Sequence, residues 1–302
     1  MGKLGNTIRH FRIHIYRVRA LIEYGIADAY KSYRTRNVPI TPKYKLSICA
    51  IAKNEGSYFA EWIDYHHLLG VEKFYIYDNE STDNTKEVLQ PYIDSGLVEF
   101  IDTPGKNMQR PVYADCLKRF RNDSQWMAFI DLDEFIVPLK NKTIPDFLEG
   151  FTDYSAIQIN WVCYGSGGQE KQNPGMVIER FRDHSELNHH LNYCIKTILQ
   201  PRRVLSFSGA HECVPLYGKK VNPKGEVIKK YYKIIPPTGQ DIIRVNHYAV
   251  KSQEEYQIKR NRGRAHYGRP LDDGYFQQFD RNEIKDDPIM EKYVERLKEI
   301  KR

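Results

Sequence analysis

The strongest constraint on the fold is a regular alternation of short apolar segments with segments of helical periodicity. Four segments have the length and the β-forming residues of buried strands, namely 46–52, 73–77, 97–101 and 126–130. Between them, apolar residues recur at steps of three and four, as on the buried face of a helix. Strands that are joined through helices run parallel, because a crossover connection returns the chain to the same end of the sheet. We therefore predict an α/β domain with a mixed, mostly parallel sheet flanked by helices, and ligands at the carboxyl ends of the strands.

The alternation weakens beyond residue 138. Strand-like segments are predicted there at 156–161, 176–181, 196–199 and 242–245. The segment 217–239 is rich in Lys, Pro and Gly, which is typical of a surface hairpin or excursion. Helical periodicity returns at 253–262 and 285–301. We therefore divide the chain into an extension (1–45), a main domain (46–284) with halves 46–138 and 139–284, and a C-terminal helix (285–302).

The positive charge of the chain is concentrated at its beginning. The whole sequence has a formal net charge of +7, whereas residues 1–45 contain ten basic and two acidic residues and so carry +8. The other 257 residues therefore sum to −1. A neutral body lacks the basic surface with which proteins bind phosphate backbones. We therefore expect no nucleic-acid partner.

The basic extension has the periodicity of an amphipathic helix over residues 8–33. Its apolar positions recur at steps of three and four residues and are Phe11, Ile15, Val18, Ile22, Ile26 and Tyr30. No uncharged stretch approaches the length of a membrane span, and the recurring arginines are unlike a signal peptide. Two interpretations fit this segment. Either residues 1–40 adhere to an anionic membrane surface, or the helix packs on the rest of the chain or on a second subunit.

The composition indicates a folded chain in a reducing compartment. Hydrophobic residues make up 41% and aromatic residues 13%, which is enough for a core and too much for a disordered chain. The five cysteines are far apart, and no C-x-x-C motif occurs. This spacing argues against a disulfide framework or a cysteine zinc site. We therefore expect a cytoplasmic protein.

The acidic motif Asp131-Leu132-Asp133-Glu134 follows directly after the fourth predicted strand. If the strand continued, Asp131 and Asp133 would point to the same side, since alternate residues of a strand share a face. Two carboxylates so close repel one another unless a cation lies between them, and Mg²⁺ or Mn²⁺ favours such oxygen ligands. An exposed acidic turn is the alternative. The position after a buried strand favours the metal site.

Polar residues also follow the first two predicted strands. Lys53, Asn54 and Glu55 come after the first, and Asp78 lies at the tip of the second. A carboxylate at such a tip is able to accept hydrogen bonds from a nucleobase or a ribose. Residues 83–85 need no ligand to explain them, since Asp, Asn and Thr cap the following helix. We expect the polar loops to line one edge of the sheet.

The order and spacing of these motifs resemble those of glycosyltransferases with the GT-A fold, a Rossmann-like α/β fold. More narrowly, the chain is similar to glycosyltransferase family 92 and its bacterial relatives, which border family 2. The resemblance covers residues 46–268. The segments that carry it are AKNE (52–55), WIDYH (62–66), YDNESTDNT (77–85), DLDEF (131–135), NWVCYGSGG (160–168), KTI (196–198), NHYAVKS (246–252) and RGRA (262–265).

The resemblance implies an inverting transferase that uses a uridine diphosphate (UDP) sugar and Mn²⁺ or Mg²⁺. It assigns the uridine to Asp78, the ribose and the metal to Asp131 and Asp133, and a third metal ligand to His247. Taken alone, a strand histidine such as His247 is more often hydrogen-bonded than ligating. The implied nucleotide-sugar site further contains Lys53, Asn54, Glu55, Asn79, Lys196, Arg262 and Arg264. Among these, Lys196 and the two arginines are candidates for stabilising the charge of the leaving diphosphate.

Inversion also needs a general base that takes the proton of the acceptor hydroxyl. Glu170 and Glu212 are the candidates, and a surface acid or a structural pair is the alternative for each. Gly167 lies in a glycine-rich loop that either lets an acceptor sugar approach the backbone or forms an ordinary turn. The rings of Trp161 and Tyr164 suit stacking on a sugar, although core packing is the alternative for Trp161.

Three functions follow from the sequence. The first is a cation-dependent glycosyltransferase at the inner face of a membrane, which adds a sugar such as galactose to a surface glycan or a lipid-linked glycan. The second is a nucleotidyl or sugar-phosphate transferase, which the lack of a Gly- and Lys/Arg-rich first loop disfavours. The third is a non-catalytic carbohydrate-binding protein. The sequence contains no P-loop, dinucleotide-binding or zincin motif.

Overall fold

A nine-stranded sheet forms the centre of the computed structural model, which describes residues 15–228, 234–262 and 274–300. The strands are β1 (Tyr44–Ala52), β2 (Lys73–Asp78), β3 (Val98–Asp102), β4 (Ser124–Phe129), β5 (Glu134–Pro138), β6 (Ala156–Cys163), β7 (Ile195–Leu199), β8 (Val204–Phe207), β9 (Cys213–Pro215), β10 (Lys220–Val221) and β11 (Ile243–His247). Two of these strands, β8 and β9, form a separate two-stranded sheet. The helices are α1 (15–24), α2 (Ile26–Arg34), α3 (Gly56–Leu68), α4 (Thr85–Asp94), α5 (Gln109–Phe120), α6 (Ile144–Leu148), α7 (Val177–Arg180), α8 (Gln253–Arg262), α9 (Tyr275–Phe279) and α10 (Glu291–Ile300).

The strand order of the sheet is β3-β2-β1-β4-β7-β6-β11-β5, and β10 pairs with the start of β6. Strands β1 to β4 are parallel to one another. By contrast, β7 is antiparallel to both of its neighbours, and β5 is antiparallel to β11. The predicted mixed, mostly parallel sheet flanked by helices is confirmed. Both predicted halves of the main domain, 46–138 and 139–284, contribute strands to this one sheet.

Strand β1 is buried on both faces, which explains its continuous apolar sequence. Successive side chains of a strand point to opposite faces, so β1 contributes to two separate layers of core. Ile48 belongs to the cluster that contains Phe59 and Trp62 of α3. Cys49 belongs to the cluster that contains Tyr113 of α5. Helices on both faces therefore hold the central strand.

The N-terminal segment forms two helices instead of the single helix predicted over 8–33, of which residues 8–14 lie outside the described residues. Gly25 separates α1 from α2, and its φ of 92° lies in the left-handed region that favours glycine. Ala20 and Ala29 are buried against the β8–β9 hairpin. The inner face of the helices therefore packs on the rest of the chain, as one of the two interpretations expects.

The strand predicted at 176–181 is wrong, because Val177–Arg180 form the short helix α7. The buried carboxylate of Glu61 in α3 accepts hydrogen bonds from the N–H groups of Val177, at 2.7 Å, and Ile178, at 3.0 Å. These bonds satisfy donors that a helix N-terminus leaves free, and the negative charge suits that end of the helix. A partner more than a hundred residues away leaves no pattern in the local sequence.

The C-terminal helix begins later than predicted. It starts at Glu291 instead of residue 285 and follows a 3₁₀ turn at Pro288–Met290. Proline disfavours helical conformation in the residue before it, which explains the late start. The ring of Tyr293 packs edge-on against that of Tyr65, with 5.3 Å between the centroids. The C-terminal helix is therefore part of the main core.

Two general properties complete the fold. All five cysteines are free thiols, and four of them are buried. Within the described ranges, none of the helices combines the length and the apolar character that a membrane span requires.

We expect Phe59→Ala to lower the free energy of unfolding by about 3–5 kcal/mol, because it opens a cavity beneath β1. Urea unfolding monitored by circular dichroism measures this loss. The control is Ile258→Ala on α8, where the side chain is exposed and the expected change is within about 0.5 kcal/mol. Equal losses in the two variants would contradict the central position of β1 and α3.

Candidate active site

Polar groups from distant parts of the chain meet at the carboxyl edge of the parallel strands. Ala52 at the end of β1 pairs with Asp78 at the end of β2. At the end of β11, His247 pairs with Glu134 of β5. The parallel arrangement of β1, β2 and β4 brings their following loops to the same edge. The polar loops therefore lie along one edge of the sheet, as expected.

Asp78 is buried at the tip of β2, and one of its carboxylate oxygens has no partner among the described residues. Its Oδ2 accepts a hydrogen bond from the backbone N–H of Ser81 at 3.0 Å. Its Oδ1 is buried and accepts none from the residues that the structure describes. A buried acceptor without a donor is costly. The position that was predicted to hold uridine therefore has a free acceptor for a donor group of a ligand.

Two asparagines of the predicted nucleotide site hold the loops in shape. Asn54 has a φ of 52°, and its Oδ1 accepts a hydrogen bond from the N–H of Thr82 at 2.7 Å. The Nδ2 of Asn79 donates to the carbonyls of Thr103, at 2.8 Å, and Gly105, at 2.9 Å. The side-chain contacts of both residues are thus made to neighbouring loops. Asn54 and Asn79 therefore position the loops of the site.

Arg262 joins the end of α8 to the loop after β1. Its guanidinium donates to the carbonyls of Lys53, at 2.7 Å, and Asn54, at 2.9 Å, and pairs with the carboxylate of Glu55. The sequence predicted that Arg262 would stabilise a diphosphate, but in this structure it braces the protein's own loop. Arg264, predicted for the same role, lies outside the described residues.

The acidic motif after β4 has a different geometry from the predicted one. The strand ends at Phe129, and a turn follows before β5 begins at Glu134. The expectation that Asp131 and Asp133 share one face of a strand is therefore wrong. Asp131 Oδ2 lies 2.6 Å from the Nζ of Lys196, whereas Asp133 has other partners. The turn was not predicted because the apolar residue between the two acids matches a continuing strand.

Asp133, Glu134 and His247 form a buried group that is able to hold a metal ion. Each offers one ligand atom, and these atoms lie within 4.8 Å of one another. Glu134 Oε1 and His247 Nδ1 are buried without a hydrogen-bond partner in the described part of the chain. Two carboxylates and an imidazole suit Mn²⁺, and the carboxylates suit Mg²⁺. Asp133 and His247 were predicted as metal ligands, whereas Glu134 was not. Asp131 was also predicted as a ligand, but it is not part of this group.

The electrostatic environment shifts the pKa values of the three members of this group in different directions. Burial lowers the pKa of His247, which favours the neutral imidazole that a metal requires. Burial also raises the pKa of Glu134 to about 8, although the positive charge of Lys196 opposes the shift. For Asp133, burial is outweighed by Lys259 and His247, so its pKa is held well below the usual range. Asp133 is therefore a permanent carboxylate.

Two lysines that the sequence did not single out extend the positive charge of the site. Lys259 of α8 places its Nζ 2.5 Å from Asp133 Oδ2 and also donates to the carbonyl of Ala249 at 2.7 Å. Lys251 is buried, has a φ of 56° and holds its Nζ 4.2 Å from the ring centroid of Tyr58. Lys259 precedes Arg262 by three residues, so helical spacing places both side chains on one face of α8. That spacing was the available signal for finding Lys259.

Trp161 lies beside the metal-binding group. Its ring centroid is 4.0 Å from that of His247 and 5.5 Å from that of His211. Its Nε1 is buried and has no acceptor within the described ranges. Trp161 also belongs to the main core cluster, so the predicted alternative of core packing applies as well. The residue thus links the core to the edge of the sheet that carries His247.

The other predicted acceptor residues have structural partners. The hydroxyl of Tyr164 donates to Asp287 at 3.0 Å and accepts from Arg244 at 2.7 Å, inside the core. Gly167 is exposed, with a φ of 58°, and its N–H donates to Asn282 at 2.8 Å. These contacts fix the glycine-rich loop against the segment that precedes α10.

The two predicted bases lie in contrasting environments. Glu212 is buried, pairs with Lys220, and accepts a hydrogen bond from Gln158 at 2.9 Å. Burial raises the pKa of Glu212, although Lys220 opposes the shift. Both carboxylate oxygens of Glu212 thus have partners, which fits the structural-pair alternative. Glu170 is exposed, and its carbonyl accepts from the N–H of Glu254 at 3.0 Å.

Comparison with known proteins identifies the family. The model of glycosyltransferase family 92 matches residues 44–288, which is more than half of the chain. A family 92 protein of Oryza sativa is 31% identical over 127 residues, which are 41% of this chain and 22% of the rice protein. A β-1,4-galactosyltransferase of Caenorhabditis elegans is 26% identical over 250 residues, which are 74% of this chain and 54% of the nematode protein. The chain therefore spans about half or less of the length of these relatives.

A solved structure with a partial likeness is that of S. aureus TarS, residues 1–349. It is 17% identical, the match covers 52% of this chain and 47% of that chain, and the TM-score is 0.36. A likeness this low carries no inference about this chain.

We expect Arg262→Ala to lower the free energy of unfolding by about 3–5 kcal/mol, because it removes the ion-pair partner of the buried carboxylate of Glu55. Urea unfolding measures the loss. The control is Arg296→Ala, an exposed arginine of α10 for which a change within about 0.5 kcal/mol is expected. Equal effects would contradict the bracing role of Arg262.

Proposed function

Because the chain belongs to glycosyltransferase family 92, we propose that it transfers galactose from a UDP-sugar to a hydroxyl of a glycan, with inversion and with Mn²⁺ or Mg²⁺. The observation that carries the proposal is the buried group of Asp133, Glu134 and His247 at the carboxyl edge of the sheet. The choice of galactose is supported by the nematode relative, which is named a β-1,4-galactosyltransferase.

The donor nucleotide binds, in this proposal, over the tips of β1 and β2. The free Oδ1 of Asp78 accepts a hydrogen bond from the base or the ribose of UDP. Asn54 and Asn79 keep the surrounding loops in place through their contacts to Thr82 and Thr103. A preformed acceptor in a fixed loop reduces the entropy that is lost when the ligand binds.

The diphosphate lies against the cationic side of the site. Asp133, Glu134 and His247 hold the metal ion, which supplies positive charge to the leaving diphosphate when it is bound. Lys259 and Lys251 contribute charge from the protein itself, and the contact of Lys259 with Asp133 fixes its ammonium at this edge. Lys196, buried between Asp131 and Glu134, keeps the two carboxylates from repelling one another.

The acceptor sugar is proposed to bind beside Trp161. The unpartnered Nε1 of this residue offers a hydrogen bond to a sugar hydroxyl. Of the two predicted bases, Glu170 is the one whose carboxylate has no structural partner in the described part of the chain. We therefore retain Glu170 as the proposed general base for the attacking hydroxyl.

We expect the full chain to release UDP from UDP-galactose in the presence of Mn²⁺ and an acceptor glycan. Asp133→Asn should lower kcat by roughly a thousandfold, or about 4 kcal/mol, because the metal then loses a charged ligand. The control is Asp153→Asn, an exposed carboxylate away from the site, and circular dichroism monitors folding in both variants.

The products of this assay separate the alternatives. Release of pyrophosphate instead of UDP would indicate a nucleotidyl or sugar-phosphate transferase. Binding of glycan without any release would indicate a carbohydrate-binding protein. A folded Asp133→Asn variant with the wild-type rate would contradict the metal assignment.

We expect His247→Ala to raise the Kd for Mn²⁺ by roughly tenfold or more, since one ligand of the buried group is lost. Electron paramagnetic resonance of free Mn²⁺ during a titration of the full chain measures this affinity without any need for activity. His190→Ala, an exposed histidine, is the control and should leave the Kd unchanged. Equal affinities of the two variants would remove His247 from the metal site.

A further inference from the structure

Helices α1 and α2 have an apolar outer face that the described residues leave largely exposed, although the ring of Tyr33 packs edge-on against that of Tyr217. Their inner face is buried through Ala20 and Ala29, as the packing on the β8–β9 hairpin requires. On the outer face, Ile22 is 66% exposed and Ile26 is 69% exposed. The further exposed apolar side chains, at steps of three and four residues along the two helices, are Ile15, Val18, Tyr30 and Tyr33. We call these six residues the outer stripe.

The helices that carry the outer stripe also carry exposed basic residues. Arg17 of α1 and Lys31 and Arg34 of α2 are exposed, and Arg36 lies just beyond α2 with its guanidinium 4.2 Å from the ring centroid of Tyr33. Residues 1–45 carry a formal net charge of +8, whereas the remainder of the chain carries −1. An apolar stripe that contains tyrosines, on helices with exposed basic residues, is complementary to a layer of anionic headgroups above acyl chains.

The outer stripe is held at a fixed position on the body. Glu23 of α1 pairs with Arg110 of α5 and accepts a hydrogen bond from Ser206. Arg202 donates to the backbone carbonyls of Thr35 and Val38. These contacts attach the helices on their inner side and direct the stripe away from the core.

We infer that the outer stripe of α1 and α2 binds the surface of an anionic lipid bilayer. A second copy of this chain is the other occupant that an apolar stripe admits. Stacking two copies on this face would bring together two segments that each carry +8, and like charges at an interface are repulsive. The same charge favours binding to an anionic bilayer, by about 1 kcal/mol for each Lys or Arg near the surface.

The binding surface is connected to the candidate active site through α5. Arg110, which pairs with Glu23, follows Gln109, and the Nε2 of Gln109 donates to Asp131 at 3.1 Å. If the proposed function is correct, a bilayer at the outer stripe places the site near an acceptor glycan that is carried on a lipid. This consequence rests on the proposed function, whereas the lipid binding does not.

Co-sedimentation with vesicles tests the inference on the full chain. Vesicles of phosphatidylcholine mixed with phosphatidylglycerol should bind the wild type, and vesicles of phosphatidylcholine alone should bind it much less. Ile22→Glu and Ile26→Glu should each lower the affinity for anionic vesicles by about tenfold or more, because a charge replaces an apolar side chain that the bilayer would bury. The control is Leu187→Glu, a similarly exposed apolar residue outside the stripe, which should bind as the wild type does.

Two readouts keep this test separate from the proposed function. UDP release with a water-soluble acceptor should be unchanged in Ile22→Glu, since the substitution is on an exposed face away from the site. Sedimentation velocity reports the oligomeric state of each variant. Equal vesicle binding by the wild type and both stripe variants would overturn the inference. If the wild type is a dimer and Ile22→Glu dissociates it without changing vesicle binding, the outer stripe binds a second copy of this chain instead.

Discussion

The structure depends on positive charge that compensates the three carboxylates at the end of β4. Asp131, Asp133 and Glu134 follow one another within four residues, and two of them are buried. A buried carboxylate costs several kcal/mol unless a cation or hydrogen bonds compensate it. Lys196 and Lys259 supply that charge at distances of 2.5–3.1 Å. These two lysines therefore offset part of the cost of burying the acidic turn.

This requirement couples the two halves of the main domain. The carboxylates belong to the first half, whereas Lys196 lies on β7, His247 on β11 and Lys259 on α8, all in the second half. Arg262 adds a further link from α8 to the loop after β1. The site is therefore complete only when strands β7 and β11 have both joined the sheet. A permanent carboxylate, a neutral imidazole and several ammonium groups then lie at one edge, which is the set of groups that a metal diphosphate needs.

The sequence predicted the features that local pattern determines. The strands β1 to β4, the helices between them and the position of Asp78 at a strand tip follow from periodicity and turn residues. Features that depend on distant partners were not predictable. The helix α7 is stabilised by Glu61, the turn at Asp131 separates two acids that a strand would align, and Lys259 reaches Asp133 across 126 residues of chain. Glu134 was missed as a ligand because only the return of β5 beside β11 brings it to His247.

Under the proposed function, Asp133, Glu134 and His247 hold a metal ion and Asp78 binds the uridine of the donor nucleotide. A crystal structure of the full chain with Mn²⁺ and UDP, measured at a wavelength that reveals manganese by anomalous scattering, tests it most directly. We expect an anomalous peak in coordination contact with Asp133 and His247, with the uridine hydrogen-bonded to Asp78 Oδ1. A peak elsewhere, or ordered UDP with Asp133 still paired with Lys259 and His247 and no manganese beside it, would contradict the metal assignment.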